Sequence, residues 1–252
     1  MLAKIYALAC VFSIGFAAYA EPVKQSDYEG IRNLSTYVLE RLPVQTHYFL
    51  GIGRGPAGLT AFWDLVYPDS VSNFPFSAPG DREIERFNPA RHAAELKPFF
   101  DKYLPTDEQL RGRSLVVPDD TLSGATLLFF LEATKHYYAS EGRKCPELVA
   151  LPLTILRGPL EFENEIKATG ARLLSVDTNQ FPPVAAHLTS GLYKVWSEYE
   201  NPGFAKEKGE ALVPLERYRQ LRQRMAQFVL NDSTLPKSLQ DSCRLRLAFL
   251  SN

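Results

Sequence analysis

The chain has 252 residues, 45% of them hydrophobic and 23% charged, which is enough apolar material for one ordinary α/β domain and too much for extended disorder. Lys and Arg number 28 against 29 Asp and Glu, so the net charge is −1 and no bulk field favours nucleic acid or an acidic membrane. Three cysteines, with no CxxC pattern and no His/Cys ligand spacing, exclude a dense disulfide framework and speak against structural zinc.

Lys4, the apolar run 5–18 and the small-x-small triplet Ala18, Tyr19, Ala20 read as a signal peptide over residues 1–20, cut after Ala20. The run spans about 14 residues, short of the roughly 20 that a spanning helix needs. The expectation is export to the periplasm or beyond, with residues 21–252 as a single mature domain that has no membrane segment. Cleavage would remove Lys4 and Cys10, taking the net charge to −2 and leaving Cys145 and Cys243. In an oxidising compartment a bridge between these two would close a loop of about a hundred residues, worth on the order of 4 kcal/mol. The sequence leaves their pairing open.

Residues 21–43 read as a lead-in and a helix with Ile31, Leu34, Val38 and Leu42 on one face, stopped by Pro43. A short apolar strand over 46–52 runs into the glycine-rich turn 53–58, and a helix over 59–67 follows with Leu59, Phe62 and Val66 at core spacing. Residues 68–80, rich in Pro, Ser and Asn, read as loop. Asn88 caps a helix that opens at Pro89, with Pro98 as a kink or stop, and Thr106 opens a turn carrying Asp107 and Glu108. This middle stretch is the natural place for a lid.

A strand over 114–117 then delivers a turn over 118–126, followed by a helix over 127–140, a strand over 148–153, a helix over 161–169 closed by Gly170, and a strand over 172–176. Strands alternating with helices imply a mainly parallel sheet with helices on both faces, a core over 44–178, and a site beyond the carboxyl ends of the strands. Residues 179–252 read as a helical extension. It opens with the aromatics Tyr193, Trp196 and Tyr199 and closes with a helix over 215–230 striped by Leu215, Tyr218, Leu221, Met225 and Phe228. Arg217, Arg219, Arg222 and Arg224 fall elsewhere on that helix, as a solvated basic face or as a surface for an anion or a protein partner.

The chemistry concentrates in two turns. After the strand over 114–117 come Asp119 and Asp120, then Thr121, Ser123, Gly124, Ala125 and Thr126 at a helix start. Hydroxyls and unpaired N–H groups at a helix N-terminus suit phosphate, while neighbouring carboxylates suit ribose hydroxyls or a Mg2+ bridging to phosphate oxygens.

This segment resembles the motif of the type I phosphoribosyltransferases: apolar strand residues, two acids, three variable residues, Thr/Ser-Gly, any residue, Thr. In gapless register Ser123, Gly124 and Thr126 match the phosphate loop and Asp119 the second acid, while Pro118 stands where the family has its first. The other register takes Asp119 and Asp120 as the pair and shortens the loop by one residue. The gapless register is the one expected, because a phosphate loop tolerates a changed side chain better than a lost residue. Gly53, Arg54 and Gly55 fit the family's loop for pyrophosphate.

The resemblance covers about half the chain. It implies a phosphoribosyltransferase-like fold, a ligand that is a phosphorylated ribose or nucleotide-like molecule, and Mg2+ as the metal, held by way of Asp119 and Asp120. If activity is retained, it implies transfer of the phosphoribosyl group from its pyrophosphate to a nitrogen nucleophile, with Arg54 adding positive charge, Asp119 and Asp120 steadying the ribose, and Phe181, Tyr193 or Trp196 available to stack on a base.

Two other readings stay open: a non-catalytic phosphate-binding or scaffold protein of the same fold, and a flavin or dinucleotide site on Gly53, Gly55 and Gly58, which spell GxGxxG. The latter calls for a second strand ending in an acid, where the sequence reads as Pro-rich loop. His47, His92, His136 and His187 are isolated, each reading as a surface or capping residue. No HExxH or GxSxG motif supports a metalloprotease or serine hydrolase.

Overall fold

A computed structural model describes residues 23–53, 55–74, 89–121, 123–155, 158–181 and 215–250; the signal-peptide stretch, Arg54, Leu122, Tyr193 and Trp196 lie outside them. In chain order the elements are helix α1 (Gln25–Leu39), strand β1 (His47–Ile52), α2 (Ala57–Val66), a 3-10 turn (Pro68–Ser70), β2 (Val71–Phe74), α3 (Pro89–Tyr103), α4 (Asp107–Leu110), β3 (Ser114–Asp120), α5 (Ala125–Ser140), β4 (Leu148–Thr154), α6 (Glu163–Ala168), β5 (Arg172–Leu173), β6 (Val176–Asp177), a second 3-10 turn (Thr178–Gln180), α7 (Leu215–Asn231) and α8 (Lys237–Leu250).

The strands form a six-stranded sheet in the order β2-β1-β3-β4-β5, with β6 continuing along β4, and every pairing is parallel. Helices cover both faces, as the alternation of elements implies. Alternate residues within each strand, Phe49 of β1, Val116 of β3 and Val149 and Leu151 of β4, pack with α1, α2, α7 and α8. Their neighbours Tyr48, Leu50, Leu115, Val117 and Ala150 pack with α3, α5 and α6. A parallel sheet covered on both sides needs such continuous apolar strands, which explains why β1 and β4 are buried along their whole length.

Four sequence expectations change. Val71–Phe74, read as loop, is a strand beside β1, because Phe74 is fully buried between Phe100 and Phe130 while Val71 closes the other face. Strand β3 runs on past Val117 to Asp120, since all three further residues pair with β4. The strand expected over 172–176 is split in two, its halves pairing with opposite ends of β4. Pro98 lies inside α3 and does not stop it; Leu96 and Phe100, on either side, are buried against α5.

Pro118 sits in a central strand, and the ladder shows why that is tolerated. Leu115 N–H donates to Glu147 and Thr121 N–H to Leu153, so odd-numbered amides of β3 face β4, whereas Ser114 N–H donates to Thr46 on the β1 side. The N–H that Pro118 lacks would therefore face β1. Pairing between β1 and β3 ends at Phe49 and Val116, two residues earlier. The β1–β3 ladder therefore stops at the proline, which gives up a bond on the β1 side only and keeps its pairing with β4.

Helices α7 and α8 are fastened onto α2 by Asp64, which is ion-paired with Arg222 and, at 2.7 Å, with Arg246. The same helices meet α1 through Asp232, which accepts from Tyr28 Oη and Arg32 Nη1 at 2.7 Å each. Arg222 is thus turned inward, away from the basic face expected of α7. Cys145 and Cys243 are free thiols belonging to the cores on opposite sides of the sheet, and no bridge joins them.

Candidate functional site

The carboxyl ends of β1 and β3 flank the topological switch point of this sheet: the chain leaves β1 for β2 on one side and reaches β3 on the other. Ligands of open parallel sheets bind in the crevice at such a point, beyond the carboxyl ends. Both chemistry-bearing turns of the sequence open there. The turn after β1 begins with Gly53, whose φ of 65° is left-handed, and reaches α2 through Gly55. The turn after β3 carries Thr121, Ser123 and Gly124 into α5.

The two turns touch. A Cβ on Gly55 would stand 2.8 Å from Asp120 Cγ and 3.0 Å from its Oδ2. Strand alternation sends Asp120 to the α2 face with Val116 and Asp119 to the α5 face with Leu115 and Val117. Each acid therefore serves one turn: Asp120 lies under the Gly55 loop, and Asp119 heads the approach to α5.

Asp119 is only 6% exposed, and its Oδ2 is buried with no hydrogen-bond partner; Asp120 Oδ1 is likewise sealed and unpartnered, although the residue as a whole meets some solvent. Burial, followed by the neighbouring Asp120, holds the Asp119 carboxyl well above the ordinary range, and burial pushes Asp120 up to about 8. Two buried carboxyl oxygens left without donors are costly to a fold. They are accounted for if something else supplies donors or positive charge.

The α5 turn is held by its own hydroxyls. Thr121 Oγ1 accepts from Gly124 N–H at 2.8 Å and Ser123 Oγ from Ala125 N–H at 3.3 Å, while Ser123 O accepts from Phe162 N–H. Gly124 is left-handed at φ 88°, with Leu160 and Ile166 against it. The first amide inside the helix ladder is that of Leu128, bonded to Gly124 O, so those of Ala125, Thr126 and Leu127 precede it. An anion at this end would compete with the Thr121 and Ser123 oxygens for the same N–H groups.

No protein-family model matches the sequence, and neither curated proteins nor solved structures yield a match.

The other candidates are placed as follows. The strand that a dinucleotide site requires does exist, as β2, but Val71–Phe74 carries no carboxylate and ends in the buried Phe74. Phe181 packs edge-on against Tyr37, 5.7 Å between ring centres, as part of the core. His47 is not a surface residue: it is buried at the start of β1. His136 is exposed on α5, while the side chains of His92 and His187 lie outside the described residues. Among the described residues no three His, Cys, Asp or Glu side chains converge on a metal position, and no helix is long and apolar enough to cross a membrane.

Sequence reasoning missed Asp64 and the unpaired state of the two acids. The first depends on partners 158 and 182 residues away; the second had one visible signal, two consecutive acids extending an otherwise apolar strand.

Proposed function

We propose that the protein has a phosphoribosyltransferase-like core whose crevice between β1 and β3 binds a ribose 5-phosphate or phosphoribosyl pyrophosphate ligand. The observation that carries this reading is the pair Asp119 and Asp120, each with one sealed carboxyl oxygen that lacks a donor, set between the Gly55 turn and the hydroxyl-bearing turn into α5. Ribose hydroxyls are the donors these oxygens lack. A 5-phosphate would take the amides at the start of α5, with Ser123 and Thr126 turning to donate to it.

The end of β3 at Asp120 favours the register in which Asp119 and Asp120 are both family acids and the loop is one residue shorter. Pro118 is then a strand residue and not a lost acid.

The orphaned oxygens also fit a Mg2+ bound through the ligand, which would offset charge on a leaving pyrophosphate. In transfer, the bond from ribose C1 to the pyrophosphate oxygen breaks, a C1–N bond forms, and the nitrogen gives up a proton. Asp119 and Asp120 hold the ribose while this occurs, and Arg54 supports the departing phosphates. On this reading the N-terminal apolar stretch directs the mature chain out of the cytoplasm.

A second reading, binding without turnover, is favoured by the signal-like segment over residues 1–20, because phosphoribosyl pyrophosphate is a cytosolic metabolite; in either reading a 5-phosphate must displace Thr121 and Ser123 from the amides it needs. Calorimetric titration of residues 21–252 with phosphoribosyl pyrophosphate, with and without Mg2+, tests both. Binding weakened by Asp119→Asn supports the site, and pyrophosphate release with added nucleobases separates transferase from binder. Absence of binding in both conditions overturns the assignment.

A further inference from the structure

At the opposite, amino edge of the sheet a row of polar side chains crosses four strands. His47 opens β1, Ser114 opens β3, Glu147 precedes β4 and Arg172 opens β5. Ser114 Oγ donates to Glu147 Oε2 at 2.6 Å, Arg172 Nε lies 3.7 Å from Glu147 Oε1, and Arg172 Nη2 reaches His47 Nε2 at 2.8 Å. His47 Nδ1 lies 3.1 Å from Pro43 O and 2.8 Å from Thr46 Oγ1.

A guanidinium only donates, so Nε2 must be the bare nitrogen of a neutral imidazole whose proton sits on Nδ1, facing Pro43 O. A second proton on Nε2 would remove the acceptor and set a cation against a cation. We propose that the His47–Arg172 contact is an acid-released latch: protonation of His47 expels Arg172 and loosens β5 from the sheet while the β1, β3 and β4 ladder stays closed.

The surroundings agree. Burial, opposed by the Pro43 carbonyl, lowers the His47 pKa; among the charges facing it, Arg172 from β5 lowers it further and Glu147 ahead of β4 raises it. β5 is two residues long and paired only at Val149 and Ala150, with Leu174 N–H donating to Ala150 O; besides Arg172, its anchors are the apolar contacts of Ala171, Leu173 and Leu174 with the two cores. For a base whose pKa is lower folded than unfolded, stability is constant above the unfolded value of about 6.5 and declines as pH falls from there through the folded value. That is the window in which the latch opens.

The test is a histidine ring titration of the mature chain by NMR, with His47 assigned by His47→Gln, together with amide exchange at Leu174 at pH 7.5 and 5.5, corrected for intrinsic rates. The expected result is a His47 midpoint below 6.5, a several-fold loss of protection at Leu174 on acidification, bounded by the tenfold that one proton allows between these pH values, and unchanged protection at Val117. Arg172→Gln, which keeps a donor but removes the charge, should raise the midpoint. A His47 midpoint at or above 6.5, or Leu174 protection equal at the two pH values, overturns the proposal, and both are read on the unmutated chain.

Discussion

Gly55 and Asp120, 65 positions apart, lie so close that a single methyl group on the glycine would fall 2.8 Å from the aspartate's carboxyl carbon. The obstacle includes Asp120 Cβ, fixed by the β3 backbone, so no flexible tip is available to swing aside. Gly55→Ala should therefore push the β1 turn off β3, costing about 1–3 kcal/mol of stability as overpacking does. It should also weaken binding of phosphoribosyl pyrophosphate at least tenfold. Urea denaturation and calorimetry read the two effects separately, and an alanine variant of full stability and full affinity would show that the turns do not meet.

The acid pair makes the free protein sensitive to alkali. Both carboxyls are raised in the fold, Asp120 to about 8, so the native state holds protons that the unfolded chain releases above about pH 4. Their contribution to stability is full below that point and declines as pH rises through 8. Asp120→Asn should consequently match the parent near pH 4 and exceed it at pH 8.5 by about 1–3 kcal/mol, a figure held down because solvent reaches part of the residue. Urea midpoints at the two pH values decide this. A variant less stable than the parent at pH 8.5 would mean that the ionised carboxylate is already satisfied in the free protein.

The apolar runs of β1 and β4 were legible because a parallel sheet buried on both faces writes itself as continuous hydrophobic sequence. Strand β2 was not, since four residues between Pro68 and Pro75 carry no period, and only pairing with β1 makes them a strand. Pro118 hid the end of β3 for a different reason: from sequence it is a terminator, and only the ladder reveals that its missing amide faces β1 while pairing with β4 runs on to Asp120. At the site, residue types were readable, as were the two turns, but their contact through Gly55 and the absence of donors for Asp119 depend on three-dimensional neighbours. The same limit kept Arg222 on the basic face of α7.

Asp64 offsets two cations, Arg222 and Arg246, inside the joint between α2 and the C-terminal helices. Burial, and then Arg246, holds the Arg222 guanidinium down to about 10. Asp64→Asn leaves the cations facing each other and should cost about 3–5 kcal/mol. Replacing Asp64 and Arg222 together by Asn and Met should cost less than the single change. A thermal-melt double-mutant cycle measures the coupling, and additive effects would remove Asp64 from its role as fastener.

Thr121 separates local capping from ligand binding in the α5 turn. Its Oγ1 accepts from Gly124 N–H at 2.8 Å, so Thr121→Val should lose about 1 kcal/mol, the usual net worth of one hydrogen bond, whereas Thr121→Ser should not. Removing that acceptor also leaves the Gly124 amide available to an anion. The valine variant is therefore expected to be less stable yet to bind phosphoribosyl pyrophosphate at least as tightly as the parent. Joint replacement of Ser123 and Thr126 by Val, which withdraws the donors proposed for the phosphate, should abolish binding. If Thr121→Val loses stability and affinity in proportion, its hydroxyl serves the ligand directly, and the amide competition inferred from the geometry is wrong.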